Sequence, residues 1–391
     1  MRERKGVCFP RGFQASAAAA GLKTSGAVDV ALVANHGERP TSAAVFTSNR
    51  VVAAPVAYSQ KVMRDRSVTH VVLNSGNANA CTGQRGYSDV LKTVQAVGQA
   101  CGIDPEAVAV CSTGVIGEYL AIDALTDVIP SLSKALSSDS GESAARAIMT
   151  TDTVPKTVEY DFDTWRIGGM AKGAGMLAPA LATMLCVVTT DAVIDQRVLQ
   201  RALTHAVENS FNRLDTDGCQ STNDTVIVLA SGESGTTVDE ADFTRELTLA
   251  CTDLARKLCD DAEGASHTID IHVTQASSKE AALAVARAVS RSALVKTAIF
   301  GNDPNWGRIL SQIGTVDSQV APFSVDAIDV SINGVTICRG GGIGEPKEKV
   351  DLASNRHVDI TVRLGAGNSD ATIYTTDLTH DYVHENSAYT T

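Results

Sequence analysis

Apolar residues recur at intervals of three and four over 89–100, 195–209, 240–258 and 280–289, the spacing of helices with one buried face. Between them lie short runs rich in Val, Ile and Thr, at 70–73, 107–111, 184–190, 225–230, 268–273, 327–332, 358–362 and 371–374, which read as strands. The alternation predicts an α/β or α+β layered fold in which helices cover sheets. A turn-rich segment, GNDPNWG at 301–307, divides a helical stretch from a strand-rich tail. The expected division is a larger domain over 1–280 and a smaller C-terminal α/β domain over 281–391. The chain has no internal repeat, no low-complexity tract and no Gly/Ser/Pro-rich linker.

Composition narrows the function. The chain of 391 residues carries 33 Lys and Arg against 45 Asp and Glu, a net charge of -12, which would repel a phosphate backbone and argues against nucleic acid as a partner. Nine cysteines, an odd number without a C-x-x-C pair, suit a reducing compartment, and the alanine-rich stretch after Arg2, Arg4 and Lys5 lacks the core of a secretion signal. The expected location is the cytoplasm. Between Lys172 and Asp191 lie 18 uncharged residues, but Gly173, Gly175, Pro179 and three threonines make burial inside the protein a better reading than a membrane span.

Several motifs invite chemistry and have plain alternatives. GAGMLA at 173–178 fits a loose dinucleotide fingerprint, yet Pro179 follows where the phosphate-binding helix should run, so no nucleotide cofactor is expected. His380 and His384 have the spacing of a zinc helix, but without an apolar helical pattern around them they predict no metal site. Lys172 is the lone charge in a glycine-rich, apolar neighbourhood and needs a partner or a task; a structural ion pair is the competing reading. Thr113-Gly114 ends the run AVAVCSTG, where a strand passes into a turn that either leaves backbone N–H groups pointing outward or is an ordinary turn. Glu263 reads as a solvated side chain at a helix end. Thr183 alone would be one more β-branched residue opening a strand.

The segment 172–185, KGAGMLAPALATML, closely resembles the processing site of the ornithine acetyltransferase family. RGF (11–13), CSTGVIG (111–117), IMTTDTVPK (148–156), STNDT (221–225), DAEGA (261–265), LVKTAIFGNDPNWGR (294–308) and ENSAYTT (385–391) keep that family's order along essentially the whole chain. Departures at Ala121, Ala174 and Ala180-Leu181 touch no reacting group.

The resemblance implies a layered αββα fold with a C-terminal domain. It also implies self-cleavage between Ala182 and Thr183, giving chains 1–182 and 183–391 that stay together, two of each. Thr183 would be the nucleophile, Thr113 and Gly114 the oxyanion-stabilising pair, and Thr153, Lys172, Thr183, Glu263, Asn386 and Thr391 the groups that contact substrate. The implied reaction moves acetyl from N-acetylornithine to glutamate in arginine biosynthesis, without metal or cofactor. Whether acetyl-coenzyme A is a second donor is left open, with the ornithine reaction alone expected. The alternative is a self-processing aminopeptidase or amidohydrolase, in which water replaces the acceptor amine.

Overall fold

The computed structural model describes residues 4–178 and 184–388. It separates into two compact units, Met1–Asn212 with Cys219–Asp261, and Arg213–Gly218 with most of the chain after Ala262. Expectation put the boundary at 280/281. The observed one precedes the strand Thr268–Ala276, because that strand forms its ladders with C-terminal strands and with none of the first unit.

The first unit contains β1 (Phe13–Ala18), β2 (Val30–Asn35), β3 (Thr41–Phe46), α1 (Ala54–Asp65), β4 (His70–Asn74), α2 (Gly83–Cys101), β5 (Val108–Ser112), α3 (Ile122–Lys134) and α4 (Gly141–Ala147). It continues with β6 (Lys156–Asp161), β7 (Arg166–Lys172), β8 (Leu185–Thr190), α5 (Gln196–Asn209), β9 (Thr225–Ala230) and α6 (Glu240–Asp260). One sheet has the order β1-β2-β4-β5, the other β3-β9-β8-β7-β6. Met170, Leu185, Val187, Ile227 and Leu229 of the second sheet share one core with Val30, Leu32, Val71, Leu73 and Val110 of the first. Helices α1, α3 and α4 pack on the first sheet and α2 against α1 and α3, while α5 and α6 cover the second. The result is the expected αββα layering.

Local sequence explains the placement of these elements. Every residue of β8 and β9 is buried, as expected for central strands covered on both faces, and this accounts for the absence of charge over 185–190. Asp195 caps α5 by accepting from the N–H groups of Arg197 and Val198, and Asp239 caps α6 through Ala241. Gly102 closes α2 in the left-handed conformation that glycine adopts without strain.

The second unit holds β10 (Thr268–Ala276), α7 (Lys279–Ser290), α8 (Ala293–Phe300), α9 (Trp306–Ile313), β11 (Asp329–Ile332), β12 (Val335–Arg339), β13 (Gly342–Ile343), β14 (His357–Arg363), β15 (Ser369–Thr376) and α10 (His380–Ala388). Its sheet runs β13-β12-β11-β14-β10-β15, with β10 parallel to β14 and antiparallel to β15, and α7 packs on β10 and β15. The segment of His380 and His384, read as lacking a helical pattern, is helix α10, and His380 sets its ring edge-on against Phe300 at 5.5 Å.

Candidate active site

The end of β5 carries Thr113 and Gly114 into a tight approach with the loop after β4. The Thr113 N–H donates to the Asn74 carbonyl at 3.0 Å, and the Val115 N–H to the Gly76 carbonyl at 3.4 Å. Gly114 has φ +129°, and a Cβ there would stand 2.3 Å from the Gly76 carbonyl carbon, so only glycine fits. The turn is held by a buried amide network. Asn74 Nδ2 donates to the Asn77 carbonyl at 2.9 Å and Ser112 Oγ to Asn74 Oδ1 at 2.6 Å, while Asn223 Nδ2 reaches the carbonyls of Ala78 and Ser112 at 2.6 and 2.9 Å. The Asn-rich run LNSGNANAC at 73–81 was the available sequence signal for this network, and sequence reasoning missed it.

Lys172, the last residue of β7, is 1% exposed, and its Nζ donates to Thr113 Oγ1 at 3.4 Å. The Thr113 hydroxyl thus accepts from an ammonium, while its own hydrogen and the Gly114 N–H have no acceptor among the described residues. Two buried carboxylates sense the Lys172 charge, and neither was singled out from the sequence. Asp152 Oδ1 accepts from the Gly173 N–H at 2.7 Å and from Lys156 Nζ at 2.6 Å. Burial drives the Asp152 carboxyl up, Lys172, Lys156 and the Gly173 N–H drive it down, and the balance lies below the ordinary carboxylate value. Asp224, fully buried just before β9, accepts the Met184 N–H on Oδ1 at 3.0 Å. Burial pushes this carboxyl well above the ordinary range, against the opposing pull of the Met184 N–H, Ser221 and Lys172.

Thr153 joins the same unit through Asp261, which accepts from its N–H at 2.9 Å and from its hydroxyl. Asp261 also pairs with Lys156 at 2.5 Å, so Thr153 is tied through Lys156 and Asp152 to the backbone at Gly173. In the second unit Asn386 Nδ2 donates to Glu263 Oε2 at 3.0 Å. Glu263 therefore has a side-chain partner that its reading as a solvated helix end did not foresee, and α6 has already ended at Asp260. Gly173–Ala178 contains no helix. Ala182, Thr183 and Thr391 lie outside the described residues.

The first unit can thus present two hydrogen-bond donors, a hydroxyl and a backbone N–H, beside a buried ammonium. That arrangement suits a developing oxyanion. None of the described helices is long and apolar enough to cross a membrane.

The ArgJ family model matches residues 14–391. The arginine biosynthesis bifunctional proteins ArgJ of Bifidobacterium longum and Thermobifida fusca are 51% and 52% identical to this chain, each alignment covering 98% of it and 99% and 100% of the relative. A crystal structure of ornithine acetyltransferase complexed with ornithine from Mycobacterium tuberculosis matches 46% of this chain and 96% of that chain, at 46% identity and a TM-score of 0.44. With the family model and the curated relatives matched over nearly their whole length, the chain belongs to the ArgJ family.

Proposed function

We propose that this protein is an acetyltransferase of arginine biosynthesis that moves the acetyl group of N-acetylornithine to glutamate through an ester on Thr183, after cutting itself between Ala182 and Thr183. What carries the reading is a full-length family match joined to one local geometry. The Thr113 hydroxyl and the Gly114 N–H are donors without acceptors among the described residues, at a buried turn beside Lys172.

A threonine hydroxyl is a weak nucleophile and needs a base. Within the intact chain the Thr183 nitrogen is an amide and has no basicity; cleavage turns it into an amine that titrates near ~7.7 to 8.0 in a free chain end. Thr183 Oγ attacks the Ala182 carbonyl, the acyl group shifts from nitrogen to oxygen, and water hydrolyses the ester. In turnover the amine takes the hydroxyl proton as Oγ bonds to the acetyl carbon, and Thr113 and Gly114 hold the oxyanion, at about 3 kcal/mol per donor. Ornithine leaves with that proton, and the glutamate amine then attacks the ester. Lys172 suits a substrate carboxylate, and Glu263, steadied by Asn386, the side-chain ammonium of ornithine. Thr153 and Thr391 complete the substrate-contacting set. The chemistry needs no metal or cofactor and suits a cytoplasmic enzyme of two copies of each fragment.

The test is mass spectrometry of quenched mixtures. N-acetylornithine alone is expected to leave the 183–391 fragment heavier by one acetyl group, and glutamate to discharge it as N-acetylglutamate faster than water does. No adduct under single-turnover conditions defeats the ester route, and an adduct that glutamate does not accelerate makes the protein an amidohydrolase. The relatives' names include the word bifunctional, so a parallel arm supplies acetyl-coenzyme A and glutamate. Adduct formation there adds a second donor.

A further inference from the structure

Asp224 plays no part in the chemistry above, yet it is placed beside it. It is completely buried immediately before β9, and its Oδ1 is fixed on the N–H of Met184, the residue directly after Thr183. The Thr225 N–H in turn donates to the Met184 carbonyl at 3.2 Å, and the Thr47 N–H donates to the Asp224 carbonyl at 2.9 Å, so both partners of the clamp are anchored. The second carboxyl oxygen, Oδ2, has no hydrogen-bond partner among the described residues. A buried acceptor left without a donor is uncommon and calls for a reason.

Cleavage supplies a new donor nearby. Covalent geometry keeps the Thr183 nitrogen within about 3.7 Å of the Met184 nitrogen in any conformation. Breaking the Ala182–Thr183 bond converts that nitrogen from an amide with one hydrogen into an ammonium with three. We propose that Asp224 is the positioning residue for the amine released at Thr183, accepting its hydrogens on Oδ2 and so fixing the pH range of acetyl transfer. This rests on the reading of Thr183 as the nucleophile.

The charged and polar groups around Asp224 are Lys172 from β7, Ser221 on its own loop and the Met184 N–H leading into β8. Lys172 acts on Asp152 as well as on Asp224. An ionised carboxylate beside the amine favours its ammonium form, so the amine becomes more basic. It then takes the Thr183 hydroxyl proton more readily as the ester bond forms and returns it to the ornithine nitrogen as the acetyl C–N bond breaks. Burial raises the Asp224 carboxyl in the intact chain, and the ammonium formed beside it on cleavage draws it back towards the carboxylate.

Asp224→Asn keeps an acceptor for the Met184 N–H and removes the charge. The ascending limb of kcat/KM against pH is expected to move to lower pH by about one unit or more, because a less basic amine is neutral at lower pH. Asp224→Glu is expected to restore at least half of that shift. A limb that stays in place in Asp224→Asn overturns the proposal, and so does a loss that is the same at every pH. A second measurement needs no variant: the pH dependence of cyanate carbamylation, read on the fragment that begins at Thr183. Its midpoint is expected above about 8.0, the upper end for a free α-amine, and a midpoint at or below that value overturns the proposal. A preparation that never yields an acetylated 183–391 fragment defeats the nucleophile reading and Asp224 with it. A normal adduct with an unmoved limb defeats Asp224 alone.

Discussion

The Thr113 hydroxyl accepts from Lys172, and its own hydrogen, without an acceptor among the described residues, is the one the proposed mechanism gives to the oxyanion. Thr113→Ala is expected to slow acetyl transfer by about 10²-fold with little change in KM, and Thr113→Ser, which keeps the hydroxyl, to stay within about tenfold of the parent. Steady-state kinetics on folded protein decides it; an alanine variant with normal turnover removes Thr113 from the hole. Gly114 is constrained differently, because a Cβ there would lie 2.5 Å from the Asn77 nitrogen and 2.3 Å from the Gly76 carbonyl carbon. The strand-to-turn character of this pair was legible in AVAVCSTG. Asp224 was not, since its partner Met184 is 40 residues away and only the pairing of β8 with β9 brings them together.

Among elements, β7 and the loops around it carry the load. Its sequence RIGGMAK breaks the alternation that marks a strand, so periodicity passed over it, and its place is set by ladders to β6 and β8. Asp152 locks the end of that strand by holding Gly173 and Lys156 together. Its carboxyl lies below the ordinary value in the fold, so its stabilisation is present above the unfolded value near ~3.9 and fades as pH falls through the folded one. Asp152→Asn is expected to lower stability at pH 7 by about 2–4 kcal/mol, since it breaks one side of a buried ion pair while Asp261 still faces Lys156. In denaturant titrations the gap to the parent should narrow below about pH 4; a constant gap would mean the loss is one of packing. Asn223→Ala leaves the buried carbonyls of Ala78 and Ser112 without their donor, and a loss of about 2 kcal/mol is expected, with slower turnover as the Thr113-Gly114 turn loosens. An unchanged unfolding midpoint would exclude that network as the support of the turn.

For the whole molecule, the proposed cut between Ala182 and Thr183 matters chiefly through its position. Residues 1–182 supply β3, β6 and β7 of the five-stranded sheet, and 183–391 supply β8 and β9, with β7 and β8 paired in register from Ile167–Thr190 to Lys172–Leu185. Breaking the chain between two strands that remain paired leaves the core intact. The two fragments are therefore expected to migrate as one species under native conditions and as two on a denaturing gel. Thr183→Ala should give a single chain without activity. Refolding of the processed protein should depend on concentration more steeply than that of Thr183→Ala, because two chains must meet. Equal dependence would show that the strands do not hold the fragments together.

The sequence by itself determined the layered α/β class, the long helices, the central strands and the family, because periodicity and motif order are local and survive without a fold. Only the tertiary structure decided that the second unit begins before β10, that Asp152 and Asp224 share the neighbourhood of Lys172, and that Glu263 meets Asn386. Each of these depends on residues that the fold, and not their order in the chain, brings together. A one-dimensional pattern records which face of an element is apolar, but not which distant partner the packing will set against it.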